Sequence, residues 1–176
     1  MGFKVQLIAI EGKSPEKIHS DYGVISSGKF VDSPEPPVLG MVLPNGKYLL
    51  YINDEILPGN DVMYRLSKNA SLLSCYANET VMESHLCLWV NGAEKWLVSH
   101  DAQENIRHLE IDGPVPNEIE AIQSHLFAEQ ETSSDADLID YIFDVPIELF
   151  VALGGIRYDQ IPESENQNPW EILERR

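Results

Sequence analysis

Apolar positions change their spacing along the chain, and each spacing predicts an element. "FKVQLIAI" (3–10) is mostly apolar and long enough to be a buried strand. In "SPEKIHSDYG", Ser14 can cap a helix, Pro15 suits its first position and Gly23 its end, which predicts a short helix over 15–22. "SSGKFVDSPEPP" (26–37) has three prolines and no period, so it reads as a loop. "LGMVLPNGKYLLYIND" reads as a hairpin, 39–43 and 47–53, turning at Pro44-Asn45-Gly46. Val62, Met63 and Leu66 share one face of a helix over 61–68, with Asn60 or Asp61 as cap. "SLLSCYA" (71–77) is a further strand, and "VMESHLCLWVNGAEKWLVSHD" (81–101) is a second hairpin around Asn91-Gly92.

Beyond it, "NIRHLEID" (105–112) alternates as an edge strand does. Ile119, Ile122 and Leu126 mark a helix over 117–130, with Phe127 beside them. Residues 137–143 predict a short helix. Asp144 can cap another, which starts at Val145-Pro146 and stops at Gly154-Gly155. Strands therefore fill the first two thirds and helices the last third. That order predicts a single α+β domain over 1–160, a mainly antiparallel sheet with helices packed on one side. Residues 161–176 form a polar tail, expected to be partly disordered, with "PWEIL" docking on the body.

Composition narrows the function. Twelve basic and 29 acidic residues give a formal charge of −17. Residues 1–109 hold 13 acids and 9 bases, whereas residues 110–176 hold 16 acids and 3 bases. Such a field repels nucleic acid and anionic membrane, and it speeds encounter with a basic partner. No apolar run reaches the roughly 18 residues of a membrane span, and the start lacks a signal-peptide pattern, so the chain reads as a mature cytosolic protein. Cys75 and Cys87 sit in strand-like sequence and are expected to be buried and reduced.

The second hairpin is the one candidate site. A two-residue turn pairs Trp89 with Glu94, Leu88 with Lys95, Cys87 with Trp96, His85 with Val98 and Glu83 with His100. Glu83, His85, Cys87 and Trp89 then share a face with Glu94, Trp96, Val98 and His100. On that register Glu83 hydrogen-bonds His100 in a structural pair. The alternative is a zinc site of Glu83, His85 and His100, the ligand count of a catalytic zinc, or a small-molecule site on the same residues. Asp101 points the other way. A carboxylate-oriented histidine could also move a proton at neutral pH. Cys87, in apolar surroundings opposite Trp96, is expected to be an inert thiol. No GxGxxG, phosphate loop, GxSxG or HExxH occurs, so no motif fixes a reaction. His125 and Glu129 make no more than a surface pair, His19 and His108 have no evident partners, and Arg157 is expected to face acids of the helical layer.

"ESHLCLWVNGAEKWLVSHD" resembles a pattern of small uncharacterised bacterial proteins, with Glu and Ser on the first strand and Trp-x-Val-x-His-Asp on the second. "DVPIELFVALGGIRYD" (144–159) is similar to the segment that closes such proteins. The resemblance covers about a third of the chain. It implies a bacterial cytosolic protein and assigns no catalytic residue.

The leading expectation is a binding protein rather than an enzyme, of the immunity or inhibitor type, that neutralises a basic partner such as a toxin domain. The contact residues expected are Asp135, Asp137, Asp140, Asp144 and Glu148, which cluster around one loop. A third reading makes the chain a subunit of a larger assembly, with the Trp170 tail as its docking arm.

Overall fold

A computed structural model of the chain describes residues 2–136, 138–160, 162 and 166–176. In chain order the elements are β1 (Lys4–Glu11), α1 (Pro15–Tyr22), β2 (Val24–Val31), β3 (Val38–Val42), β4 (Tyr48–Ile52), α2 (Asn60–Ser67), β5 (Ser71–Asn78), β6 (Glu83–Val90), β7 (Ala93–Asp101), β8 (Glu110–Asp112), α3 (Glu118–Thr132), α4 (Asp144–Ala152) and β9 (Trp170–Arg175). The fold is α+β. Nine strands make one sheet in the order β2-β9-β3-β4-β1-β5-β6-β7-β8, and every neighbouring pair is antiparallel.

β1 lies at the centre, between β4 and β5, and its six inner residues are all buried. A fully buried aliphatic side chain stabilises by about 1.5–3 kcal/mol, which explains why this strand reads as nearly continuous apolar sequence. Its side chains alternate between two cores. Val5, Leu7 and Ala9 pack with Ile119, Leu126, Val145, Leu149 and Phe150, so α3 and α4 form the expected helical layer on that face. Ile8 and Ile10 pack with Ile18, Met63 and Leu66, so the shorter α1 and α2 add a second layer on the other face. Cys75 and Cys87 are buried and free, one in each core. No helix among the described residues is long and apolar enough to cross a membrane.

Local signals act where they stand. The Ser14 hydroxyl accepts from Lys17 N, Pro15 opens α1, and Gly23, at φ 96°, ends it by donating to the His19 carbonyl. Gly46, at φ 86°, closes the β3–β4 turn. Three segments differ from expectation. Of the loop expected over 26–37, the first half (26–31) belongs to β2, because a distant partner, β9, pairs with it, and 32–37 is loop; the register breaks between Ser26 and Phe30, around Gly28 at φ 71°. Of 105–112 only β8 is strand, since Asn105 turns the chain by accepting from Arg107 N and His108 N. Where a helix was expected over 137–143, residues 138–143 make turns; the Asp140 carboxylate accepts from Ile142 N and Phe143 N and diverts the backbone, and Asp137 lies outside the described residues.

The segment expected to be a polar tail contributes β9, which runs between β2 and β3. Trp170 is 1% exposed and meets Tyr51 edge-to-face at 5.4 Å between ring centroids. β9 is the only strand that pairs with β2 among the described residues. Trp170→Ala is therefore expected to lower stability by about 3–5 kcal/mol in urea unfolding. A chain stopped at residue 166 should lose cooperative unfolding; a sharp transition of wild-type slope would show that β9 is dispensable.

Candidate functional site

The β6–β7 hairpin turns at Asn91 and Gly92, with φ 51° and 81°, the two-residue turn that Asn-Gly favours. Val90 faces Ala93 and Trp89 faces Glu94 as expected. The register then shifts: Leu88 pairs with Trp96, Cys87 with Leu97, Leu86 with Val98, His85 with Ser99, Ser84 with His100 and Glu83 with Asp101. Lys95 is the extra residue of a bulge. The bulge leaves Lys95 in solvent and buries Trp96 and Val98 against α4; an unbulged strand would turn them to the other face. The expected register is thus corrected beyond Trp89. Glu83 and His85 stay together, His100 goes to the opposite face, and Asp101 joins Glu83. The Glu83–His100 pair and the Glu83, His85, His100 ligand set do not form. Among the described residues no group of three or more His, Cys, Asp or Glu side chains could hold a metal.

His100 is 0% exposed and takes a different carboxylate. Its Nδ1 donates to the His108 carbonyl at 2.6 Å and its Nε2 to Asp140 Oδ2 at 2.8 Å. Both partners are acceptors, so both ring nitrogens carry protons and the imidazolium is balanced by Asp140. Burial pulls the pKa of His100 down, but the hydrogen bonds to Asp140 and the His108 carbonyl outweigh it, and the net shift is upward. Ser84, opposite His100 on β6, donates to the Phe143 carbonyl at 2.7 Å. One cross-strand pair thus clamps the chain that enters α4. His108, for which the sequence showed no partner, also accepts from Asp101 N at 2.9 Å through Nδ1.

The other face of the hairpin is concave. Glu83, His85, Cys87 and Trp89 of β6 line a cavity of about 430 Å³ with Glu94, Leu97 and Ser99 of β7. Ser74 and Tyr76 of β5 and Gln6 of β1 continue the floor, while α2 and the loop before it make a wall. Tyr76 and His85 stack at 4.9 Å between centroids. Burial pushes the His85 pKa down to about 4, so the ring is neutral at pH 7. No residue among those described hydrogen-bonds it. Burial also pushes the Cys87 thiol up to about 12, which leaves it protonated. Trp89 and Glu94 lie on the expected face, where the sequence assigns them no role, and Gln6 enters from β1, outside the hairpin. Gln6, a lone polar residue inside the apolar β1 run, was the available signal.

The acids nominated around the α3–α4 loop divide. Asp135 is exposed. Asp140 holds His100, whereas Asp144 and Glu148 hold Arg157, with Asp159 as a third partner. Arg157 therefore faces acids of the helical layer. Burial raises the Asp144 carboxyl against the pull of Arg157. No protein-family model, curated protein or solved structure matches the chain.

Because the folded pKa of His100 is raised, its contribution is complete below the unfolded value of about 6.5 and is lost as pH rises through the folded value. His85 acts in the opposite sense, since its depressed pKa removes stability as pH falls from about 6.5 toward about 4. The His100 contribution is isolated by comparison with Asp140→Asn: the wild-type advantage in urea unfolding should shrink from pH 6 to pH 9, and a constant gap would contradict the imidazolium assignment. Arg157→Met leaves Asp144 and Glu148 uncompensated. It should cost on the order of 2 kcal/mol in the same assay at pH 7, less than for a fully buried pair because both acids are partly exposed.

Proposed function

We propose that the protein is a binding module that captures a basic protein partner on the acidic surface of α3 and the loop after it. In this reading it is a bacterial inhibitor of the immunity type, and the partner is a cationic toxin domain. The supporting observation is Leu138, a large aliphatic side chain that is 87% exposed in the same turn as Asp135. An exposed apolar anchor beside carboxylates has the chemistry of an interface centre with a charged rim. Glu118 and Glu120 add negative charge at the other end of α3, roughly 20 Å along the helix; both are exposed, and neither has an ion-pair partner among the described residues. Of the five acids expected at the contact, Asp135 remains a contact residue. Asp140, Asp144 and Glu148 serve as internal supports of the surface.

An association of this kind is steered by charge and docked by the apolar anchor. A tagged chain expressed in bacteria, crosslinked and analysed by mass spectrometry, is expected to retain a stoichiometric basic protein. Charge reversal at Glu118, Glu120 and Asp135 should slow its association by about tenfold at low salt, with the difference narrowing as salt rises. Leu138→Ala should speed dissociation instead. An acidic partner, or rates that ignore both substitutions, would refute the reading.

A further inference from the structure

The cavity on the α2 face is independent of that partner surface, because the sheet lies between them. Its charged side chains are of one sign. Glu83 stands near one end of the β6 floor and Glu94, paired with Trp89, near the other, roughly 20 Å apart along an extended strand. Each carboxylate has a like-charged neighbour: Glu83 is directly opposite Asp101, and Asp112 adds to the burial that raises the Glu94 carboxyl. Like charges so placed are destabilising. None of the four has an ion-pair partner among the described residues, and no lysine or arginine lines the cavity among them.

Between the ends the groove also offers acceptors. Gln6 is 5% exposed; its amide nitrogen donates to Ser74 Oγ at 2.7 Å, and its carbonyl oxygen has no protein donor among the described residues. Neutral His85 presents one acceptor nitrogen. Leu97, Met63 and the ring faces of Tyr76 and Trp89 supply apolar surface along the same path. A ligand that satisfies these groups is cationic at both ends, rich in N–H donors and aliphatic between them. An anion would meet two carboxylates and no cation.

We propose that this groove binds a linear aliphatic polyamine. Its terminal ammonium groups lie against Glu83 and Glu94, its methylene segments cover Leu97 and Met63, and an internal amine donates to Gln6 and His85. Terminal ammoniums relieve the two like-charged pairs, and Trp89 adds cation–π attraction at the Glu94 end.

A chain of charge −17 attracts polycations everywhere, so the test must separate the groove from the general field. The probes are spermine and a monoamine of similar length, titrated by calorimetry at 0.15 M salt and followed by the indole N–H resonance of Trp89. Wild type should bind one spermine saturably, move that resonance, and bind the monoamine at least about tenfold more weakly, as expected when one charged contact is lost. Glu83→Gln with Glu94→Gln should weaken spermine at least tenfold with the thermal unfolding midpoint retained or raised. Substitution of Glu118 and Glu120 by Gln and of Asp135 by Asn should leave the constant unchanged. Loss on the α3 substitutions instead, non-saturable binding, an unmoved Trp89 resonance, or a monoamine as tight as spermine would each overturn the proposal. None of these results bears on capture of a basic protein by α3.

Discussion

A single extra residue in β7 decides what each face of this protein can do. Lys95 bulges out of the hairpin, and every side chain after it changes sides. Trp96 and Val98 enter the core under α4, and His100 follows them into a buried pair with Asp140. Leu97, Ser99 and Asp101 turn to the other face, where Glu83 and His85 already stand. The driving force is plain in magnitude. Burying an indole against helices outweighs the loss of one ladder position, while a lysine ammonium could not be buried there unpaired. Helical support and the open groove are two results of the same offset.

The His100–Asp140 pair then carries the effect into the helical layer. Asp140 joins β7 to the backbone at Ile142 and Phe143 and so fixes where α4 begins. The Arg157 cluster ties the segment after α4 back to the first two turns of that helix, holding Asp144 and Glu148 with one guanidinium. Charge in the second half of the chain is therefore of two sorts. Some acids are structural ties, and others, such as Glu118, Glu120 and Asp135, remain in solvent.

Much of the architecture was legible in the sequence because it rests on neighbours. Ser14, Pro15 and Gly23 delimit α1 within a residue, and Asn91-Gly92 locates its turn. The apolar run of β1 announces a central strand, and the i, i+3, i+7 spacing of Ile119, Ile122 and Leu126 announces α3. What was hidden depends on contacts far along the chain. β2 has no periodicity of its own and becomes a strand only when β9 lies beside it. His100 meets Asp140 across forty positions, and no local pattern links them. The candidate site was half legible for the same reason: Glu83 and His85 share a face on any register, while His100 depends on the bulge. The order Lys95-Trp96 held the clue, since a regular strand would have turned the lysine inward at the expense of the tryptophan.

The position of β9 bears on how the chain reaches this state. Its pairs with β2 join residues as distant as Val24 and Arg175, so ordering this edge closes a loop of about 150 residues. The hairpins β3–β4, β5–β6 and β6–β7 close over short turns and can form early. Until β9 arrives, β3 presents an unpaired backbone edge with Leu39 and Met41 beside it, a template for any extended segment of another molecule. The slow, long-range closure is thus also the step that shields the chain from self-association, and crowding during that interval competes directly with folding.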